Sequence, residues 1–293
     1  MTGNTAILAT ATRRSSLAHL ACWGAIALLA GCSHSPGAGQ RPTPFEHSAS
    51  IQPMWQGQWI DLTHEFSTRA IYWPTAKAFE HTEVFKGVTD KGFFYASYDF
   101  AASEHGGTHL DAPIHFSEGQ LGAGDIPLQQ LIGPGVRIEV MIGAQRNHQI
   151  SVEEITRWEQ EHGQIPDSSI VLFDTGSAAL WPDKERYMGT AERGEAAVAK
   201  LAFPGIHPDA ALFLIQQRNV KAVGIDTPSL DYGGSVYFHT HQILFQQNIP
   251  GFENVADLSA LPPTGFGVIA LPMKIKHGSG APLRIIALIP PTD

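Results

Sequence analysis

The chain has 293 residues, a formal charge of −9 at neutral pH and two cysteines. The acidic balance, with no basic cluster, excludes a nucleic-acid surface built on phosphate contacts. Both cysteines, Cys22 and Cys32, lie near the N-terminus, so the remainder has neither disulfides nor thiolate ligands, and a metal there must be held by nitrogen and oxygen.

Residues 1–31 read as an export signal. Arg13 and Arg14 open it, residues 20–30 are apolar, and Leu29-Ala30-Gly31-Cys32 closes it with small residues and a cysteine. The apolar run is too short to cross a hydrocarbon core of roughly 30 Å as a helix, and it has the order of a signal h-region. Its ending resembles a bacterial lipoprotein signal, in which the cysteine becomes the first residue and is acylated. That implies Cys32 as the lipidation site, a lipid anchor in the membrane with no transmembrane helix, and a periplasm-facing place in the cell envelope. Arg13-Arg14 also resembles a twin-arginine signal, with Ser16 where that pattern prefers an aromatic. Residues 32–54, rich in Ser, Pro and Gly, read as a flexible tether. Residues 55–293 then form one domain of roughly 240 residues, enough for a single sizeable core.

Along that domain, stretches of β-branched and aromatic residues between turn formers predict strands at 59–63, 93–100, 136–141, 170–173, 222–226, 266–271 and 284–289. Ser151 and Glu154 form a capping box that predicts a helix stopped by Gly163. Pro208 and Asp209 open a second helix, with Ala211, Leu212 and Ile215 at helical spacing and Asn219 closing it. A third is expected from about Thr240 to Gln247, ended by Asn248-Ile249-Pro250-Gly251. Strands outnumber helices, which predicts a mixed α/β domain with a large β component.

His105, His109, Asp111 and His115 fall within eleven residues, around Gly106-Gly107 and Pro113. Histidines four apart would share a helix face, as in the HExxH zinc proteases. The two glycines make a helix costly and Pro113 prevents its continuation, so a turn into extended chain is expected. In extended chain His109 and Asp111 face one side, with Thr108 and Leu110 on the other. The glycines let His105 fold back toward the same point. Two imidazoles and a carboxylate make three protein ligands and leave a position for water, as catalytic zinc sites require. A bound zinc lowers the pKa of water from about 15.7 to roughly 7, which gives a hydroxide nucleophile at neutral pH. His115, beyond the turn at Pro113, reads as a proton shuttle, because imidazole titrates near neutrality.

The run His105-Gly106-Gly107-Thr108-His109-Leu110-Asp111-Ala112-Pro113-Ile114-His115 resembles the HxGTHxDxPxH signature of the metal-dependent cyclase family, which includes the bacterial kynurenine formamidases and the isatin hydrolases. Asp61-Leu62-Thr63-His64 is similar to that family's early DLSH strand, and Trp73-Pro74 to its WPG segment, with Thr75 in place of the usual glycine. Lys221-Ala222-Val223-Gly224-Ile225-Asp226-Thr227-Pro228-Ser229-Leu230-Asp231 is similar to its GIDxxSxD block, and His241 with Glu253-Asn254 to its late H…EN pair. The resemblance implies a mixed-sheet swivelling β/β/α fold and a dimer. It implies one metal on His105, His109 and Asp111, and a second on Asp111, His241 and Glu253, with Asp111 bridging. One or two divalent ions per chain are expected, and zinc and manganese both suit such a site. The resemblance further makes His115 the general acid/base and Trp73 a wall of the substrate pocket. The departure at Thr75 bears on the shape of that loop. His239 could face the metal as well as His241 in extended chain; the distance to Glu253 in the family pattern favours His241. The implied reaction is metal-dependent hydrolysis of the C–N bond of a small amide or lactam, either a formamide or a cyclic amide.

Two other readings compete. Asp174-Thr175-Gly176-Ser177 resembles the catalytic loop of aspartic proteases, which need two aspartates sharing a proton. The second candidate, Asp226-Thr227-Pro228-Ser229, has proline in place of the glycine and lies too near in sequence for two lobes, which leaves one aspartate from each chain of a dimer. A non-catalytic binder of a metal or small ligand is the other reading, and a pure binder has no need of His115. No Gly-x-Ser-x-Gly elbow for serine hydrolysis is present.

Overall fold

The structure, a computed structural model, describes residues 56–140, 142 and 145–291. The expected signal, the tether with Cys32, and Met141 at the end of one expected strand lie outside the described residues.

Most of the sheet is one closed surface. Its strands are β1 (Gln58–Asp61), β4 (His109–Asp111), β5 (Ile132–Glu139), β7 (Ile170–Asp174), β9 (Ala222–Ile225), β10 (Gly251–Glu253), β11 (Phe266–Pro272) and β12 (Gly280–Ile289). They run in the order β1-β12-β11-β5-β7-β9-β10-β4, and β4 also pairs with β12, which closes the ring. Strands β5, β7, β9 and β10 are parallel neighbours, and every other pairing in the ring is antiparallel. One edge of β12 serves two partners: Gly280, Ala281 and Pro282 pair with β4, and Ile286 to Ile289 pair with β1. Outside the ring, β2 (Glu80–Val88) pairs with β3 (Phe94–Ala101), and β6 (Gln149–Ile150) with β8 (Gly205–Ile206).

Both faces of the parallel strands are buried, so they read as apolar runs without alternation. Ile170 and Leu172 of β7 point into the ring with Leu110, Phe252, Val268 and Ile285. Val171 and Phe173 point outward against helix α2 (Val152–His162), helix α5 (Pro208–Arg218) and helix α6 (His239–Gln246), where Ile155, Leu214 and Leu244 cover them. Gly224 faces Leu172 and Phe252 closely enough that a Cβ would lie 2.6 Å from Leu172. Three short helices complete the set: α1 (Leu128–Leu131), α3 (Lys184–Met188) and α4 (Glu195–Val198). No helix among the described residues is long and apolar enough to cross a membrane.

The capping box of α2 has both halves, Ser151 accepting from the Glu154 amide and Glu154 accepting from the Ser151 amide. Asn219 closes α5 in the left-handed conformation, as its position predicts. Several elements differ from expectation, among them three whose cause is visible. β5 begins at Ile132 rather than 136, because Gly133 and Pro134 pair with β11 despite their poor strand propensity. α6 begins at His239, behind a left-handed Phe238. β2 was not expected at all: nearly every residue in it is exposed, so no buried face imposes an alternation.

Leu110 is the hinge between core and site. It is fully buried in the ring, while His109 and Asp111 on either side face the other way. Leu110→Ala is expected to cost about 2–5 kcal/mol, read as a lower denaturant midpoint with an unchanged slope.

Candidate metal centre

The turn before β4 carries out the bend that the glycines allow. Gly107 is left-handed at φ 60, and a Cβ there would meet the Phe66 ring at 2.6 Å. Its carbonyl accepts from His109 Nδ1 at 3.0 Å and from Asn254 Nδ2 at 2.8 Å. Thr108, on the opposite side from His109, donates to the Asn254 carbonyl at 2.6 Å and accepts from the His64 amide. His105 folds back so that its Nδ1 lies 2.7 Å from Asp111 Oδ1.

Asp111 has glycine on both flanking strands, Gly251 of β10 and Gly280 of β12. A Cβ on Gly280 would lie 2.5 Å from the His105 ring, so that position has to stay bare. The adjoining register puts Glu253 directly beside His109. Helix α6 brings His241 in from above, and Asp231 takes the amides of Thr240 and His241 at its N-terminus. Thus the turn before β4, β4 itself, β10 and α6 supply the donors, and they fall into two groups: His105, His109 and Asp111, and then Asp111, His241 and Glu253. Within each group the donor atoms lie within 4.8 Å of one another.

The outward ring nitrogens decide what this cluster can hold. His109 Nδ1 donates to Gly107, and His241 Nδ1 donates to Asp231 at 2.7 Å. His105 Nε2 lies 2.9 Å from Ser279 Oγ, which in turn donates to Glu104. Each neutral ring therefore keeps its lone pair on the inward nitrogen. Those inward nitrogens face carboxylate oxygens: His109 Nε2 is 3.1 Å from Asp111 and 3.3 Å from Glu253, and His241 Nε2 is 3.3 Å from Asp111 and 3.0 Å from Glu253. Lone pair against lone pair repels unless a proton or a cation lies between them. The donor set fits divalent cations, with all three imidazoles tied from behind as metal-ligating histidines usually are.

Without a cation the protons take that place. Burial alone would lower the pKa of His109, but hydrogen bonds and charge from Asp111 and Glu253 outweigh it and hold the ring at about 10. His241 is raised well above its ordinary value against the same burial penalty, by hydrogen bonds to Asp111, Asp231 and Glu253. Burial pushes Asp111 upward, yet the charge of His105 and the hydrogen bonds of the three rings hold it well below the carboxylate range.

His115 stands apart from these donors. It sits in a single 3-10 turn (Pro113–His115), its ring stacked on His105 at 3.8 Å, with Nε2 4.0 Å from Asp111 Oδ2. Burial lowers its pKa to about 4, only partly opposed by the Asp111 charge, so at neutral pH the ring is neutral and able to accept a proton. Above the cluster opens a cavity of about 320 Å³. Ile71, Tyr72, Trp73, Phe116 and Phe238 wall it, and Trp73 meets Phe203 and Phe238 edge-on.

The structure thus gathers His105, His109, Asp111, His115, His241 and Glu253 at one point and places Trp73 on the cavity wall. His239 is not there. It is exposed at the start of α6 and stacks on Tyr237, because residues two apart on a helix point to nearly opposite sides. The aspartic-protease reading also fails. Asp174 is held by Arg137, and Asp226 is buried, accepting from the Thr175 amide and hydroxyl and from the Ala178 amide. Neither carboxylate lines the cavity. The motifs assigned no role to Asp231, Glu104, Ser279 or Asn254, which orient the ligand rings or their turn. Asp231 lay inside a quoted motif, whereas Ser279 is far from His105 in sequence and carries no local signal.

A closed mixed sheet that carries two nitrogen–oxygen donor groups around one shared carboxylate defines a metal-dependent enzyme. Residues 60–232 match the model of the family described as putative cyclase, and the chain belongs to that family. The chain is 31% identical over 211 residues to the isatin hydrolase of Roseibium aggregatum, a match covering 68% of this chain and 77% of that one. It is 28% identical over 233 residues to the kynurenine formamidase of Salinibacter ruber, covering 78% and 95%. Among solved structures, isatin hydrolase A from Ralstonia solanacearum superposes with a TM-score of 0.73 at 27% identity, over 86% of this chain and 99% of that one. The swivelling β/β/α arrangement implied by the motifs is therefore the fold observed.

Asp231→Asn removes the charge behind His241 and keeps a hydrogen-bond acceptor there. It is expected to weaken metal affinity about 10–100-fold, measured by competition against a chromophoric chelator.

Proposed function

We propose that this chain hydrolyses the C–N bond of a small amide, either a formamide or a cyclic amide, with two divalent ions, zinc or manganese, at the paired donor groups. One observation carries the reading: Asp111 is shared by both groups, beside a histidine that is neutral and outside the ligand set. The isatin hydrolase and kynurenine formamidase relatives support it.

His105, His109 and Asp111 would hold one ion, and Asp111, His241 and Glu253 the other. Divalent ions there supply Lewis acidity, lowering the pKa of water and drawing charge from a carbonyl oxygen. The chain does the rest. Trp73, Phe116 and Phe238 flank a flat, largely apolar substrate and exclude bulk water. His115 takes the proton of the attacking water at Nε2 and returns it to the departing nitrogen, which a neutral ring at neutral pH can do. A pure binder gains nothing from such a group.

The leader motif supports a lipid anchor at Cys32 and a periplasm-facing position. Cys32→Ala is expected to move the protein from the membrane to the soluble fraction on cell fractionation.

Asp111→Asn should abolish turnover and metal content together, because that carboxylate serves both groups. His115→Ala should lower kcat by about 10²–10⁴-fold while elemental analysis shows the metal content unchanged. A panel of aryl formamides and lactams, assayed with and without chelator, tests the reaction class. Chelator-insensitive turnover, or an emptied metal site in His115→Ala, would overturn these assignments.

A further inference from the structure

Tyr187 lies on helix α3 and belongs to none of the motifs that carry the metal donors. Its ring is buried among Ile71, Met188, Leu201 and Phe203, with Trp181 edge-on at 5.4 Å. Its hydroxyl reaches toward the turn before β4. It donates to the Asp226 carbonyl and to Asn254 Oδ1, each at 3.0 Å. Burial and the charges of Asp226 and Glu253 raise its pKa well above the ordinary phenol value, so the hydroxyl keeps its proton and stays a donor.

Asn254 passes this contact on. The residue is buried and left-handed at φ 51, and its backbone amide donates to the Thr227 carbonyl at 2.8 Å. Its side-chain nitrogen donates to the Gly107 carbonyl at 2.8 Å. A carbonyl has no hydrogen to give, so the nitrogen must face Gly107 and the oxygen must face Tyr187. That buried oxygen needs a donor, and the phenol supplies it. The same Gly107 carbonyl accepts from His109 Nδ1 at 3.0 Å, while the Gly107 amide is tied to the Ile71 carbonyl at 2.8 Å. The contacts thus run from Tyr187 through Asn254 and Gly107 to His109. Without the hydroxyl, the Asn254 amide can turn about its soft terminal torsion, and the Gly107 carbonyl loses the tie that aims it at the ring. His241 takes no part in this series, because Asp231 holds its Nδ1 at 2.7 Å.

We propose that Tyr187 is a positioning residue for the metal centre. Its hydroxyl sets the Asn254 amide and thereby the His109 ring, so it governs the ion of the His105, His109 and Asp111 group and leaves the ion beside His241 alone. The inference rests on the reading that these donor groups hold divalent ions.

The test uses the full chain in detergent, loaded with zinc alone. Tyr187→Phe keeps the ring and its packing and removes one oxygen. Competition against a chromophoric chelator should show one zinc-binding step weakened about tenfold or more, with the other within about threefold of wild type. By NMR of the zinc-loaded chain, the Nδ1 hydrogen of His109 should exchange with water at least about threefold faster, while that of His241 exchanges as in wild type. Asn254→Gly, a residue that accepts this φ, should reproduce both effects with the phenol still in place. Adding Tyr187→Phe to it should change neither effect further. Equal weakening of both zinc steps, an unaltered His109 exchange, or additive losses in the double variant would overturn the role of Tyr187. A wild-type chain that binds no zinc would overturn the metal reading itself, and this inference with it.

Discussion

Asp111 is almost completely buried, yet its two oxygens meet three imidazole nitrogens within 3.3 Å. A carboxylate so placed is tolerable only as an anion surrounded by positive charge, whether protons on the rings or cations between them. Much of the surrounding structure follows from this. Both strands beside it carry glycine at its level: a side chain at Gly280 would fill the space of the His105 ring, and one at Gly251 would collide with Leu230. Each ring is anchored from behind by a carbonyl, a carboxylate or a serine hydroxyl, so its lone pair can point only inward. Even the interior residue Leu110 serves the arrangement, since its burial fixes which way its neighbours turn.

His241 and His115 illustrate how placement separates roles. His241 lies at the head of a helix whose amides are held by Asp231, and the same carboxylate orients its ring. His115 has no such tie, and desolvation rather than charge dominates its protonation. One residue type therefore supplies both fixed donors and a free proton carrier within a few ångströms.

Much of the centre was legible because its chemistry is compressed into a short run. His105 to His115 brings four polar groups together in sequence, with period-two alternation and two glycines to fold the start back. The buried strands at 170–173 and 222–226 were legible as apolar runs, and the capping box and Asn219 marked their helices. The order of strands around the ring was not, since register depends on pairings between segments far apart. The choice between His239 and His241 turned on whether that segment was extended or helical, and spacing alone left it to the family pattern. Ser279 gave no warning at all, because a serine becomes second partner to a histidine only once the ring closes. Strand 80–88 escaped notice for a related reason: nearly all of its residues are exposed, so nothing forces an alternation on the sequence.

The short strand β4 is also the seam of the barrel. It is the piece that joins β10 to β12 and turns an open sheet into a ring. Closing the ring and completing the donors therefore depend on one strand, because Asp111 of β4 belongs to both groups. A substitution that loosens β4 is thus felt twice, in the closure of the ring and in the donor groups it carries.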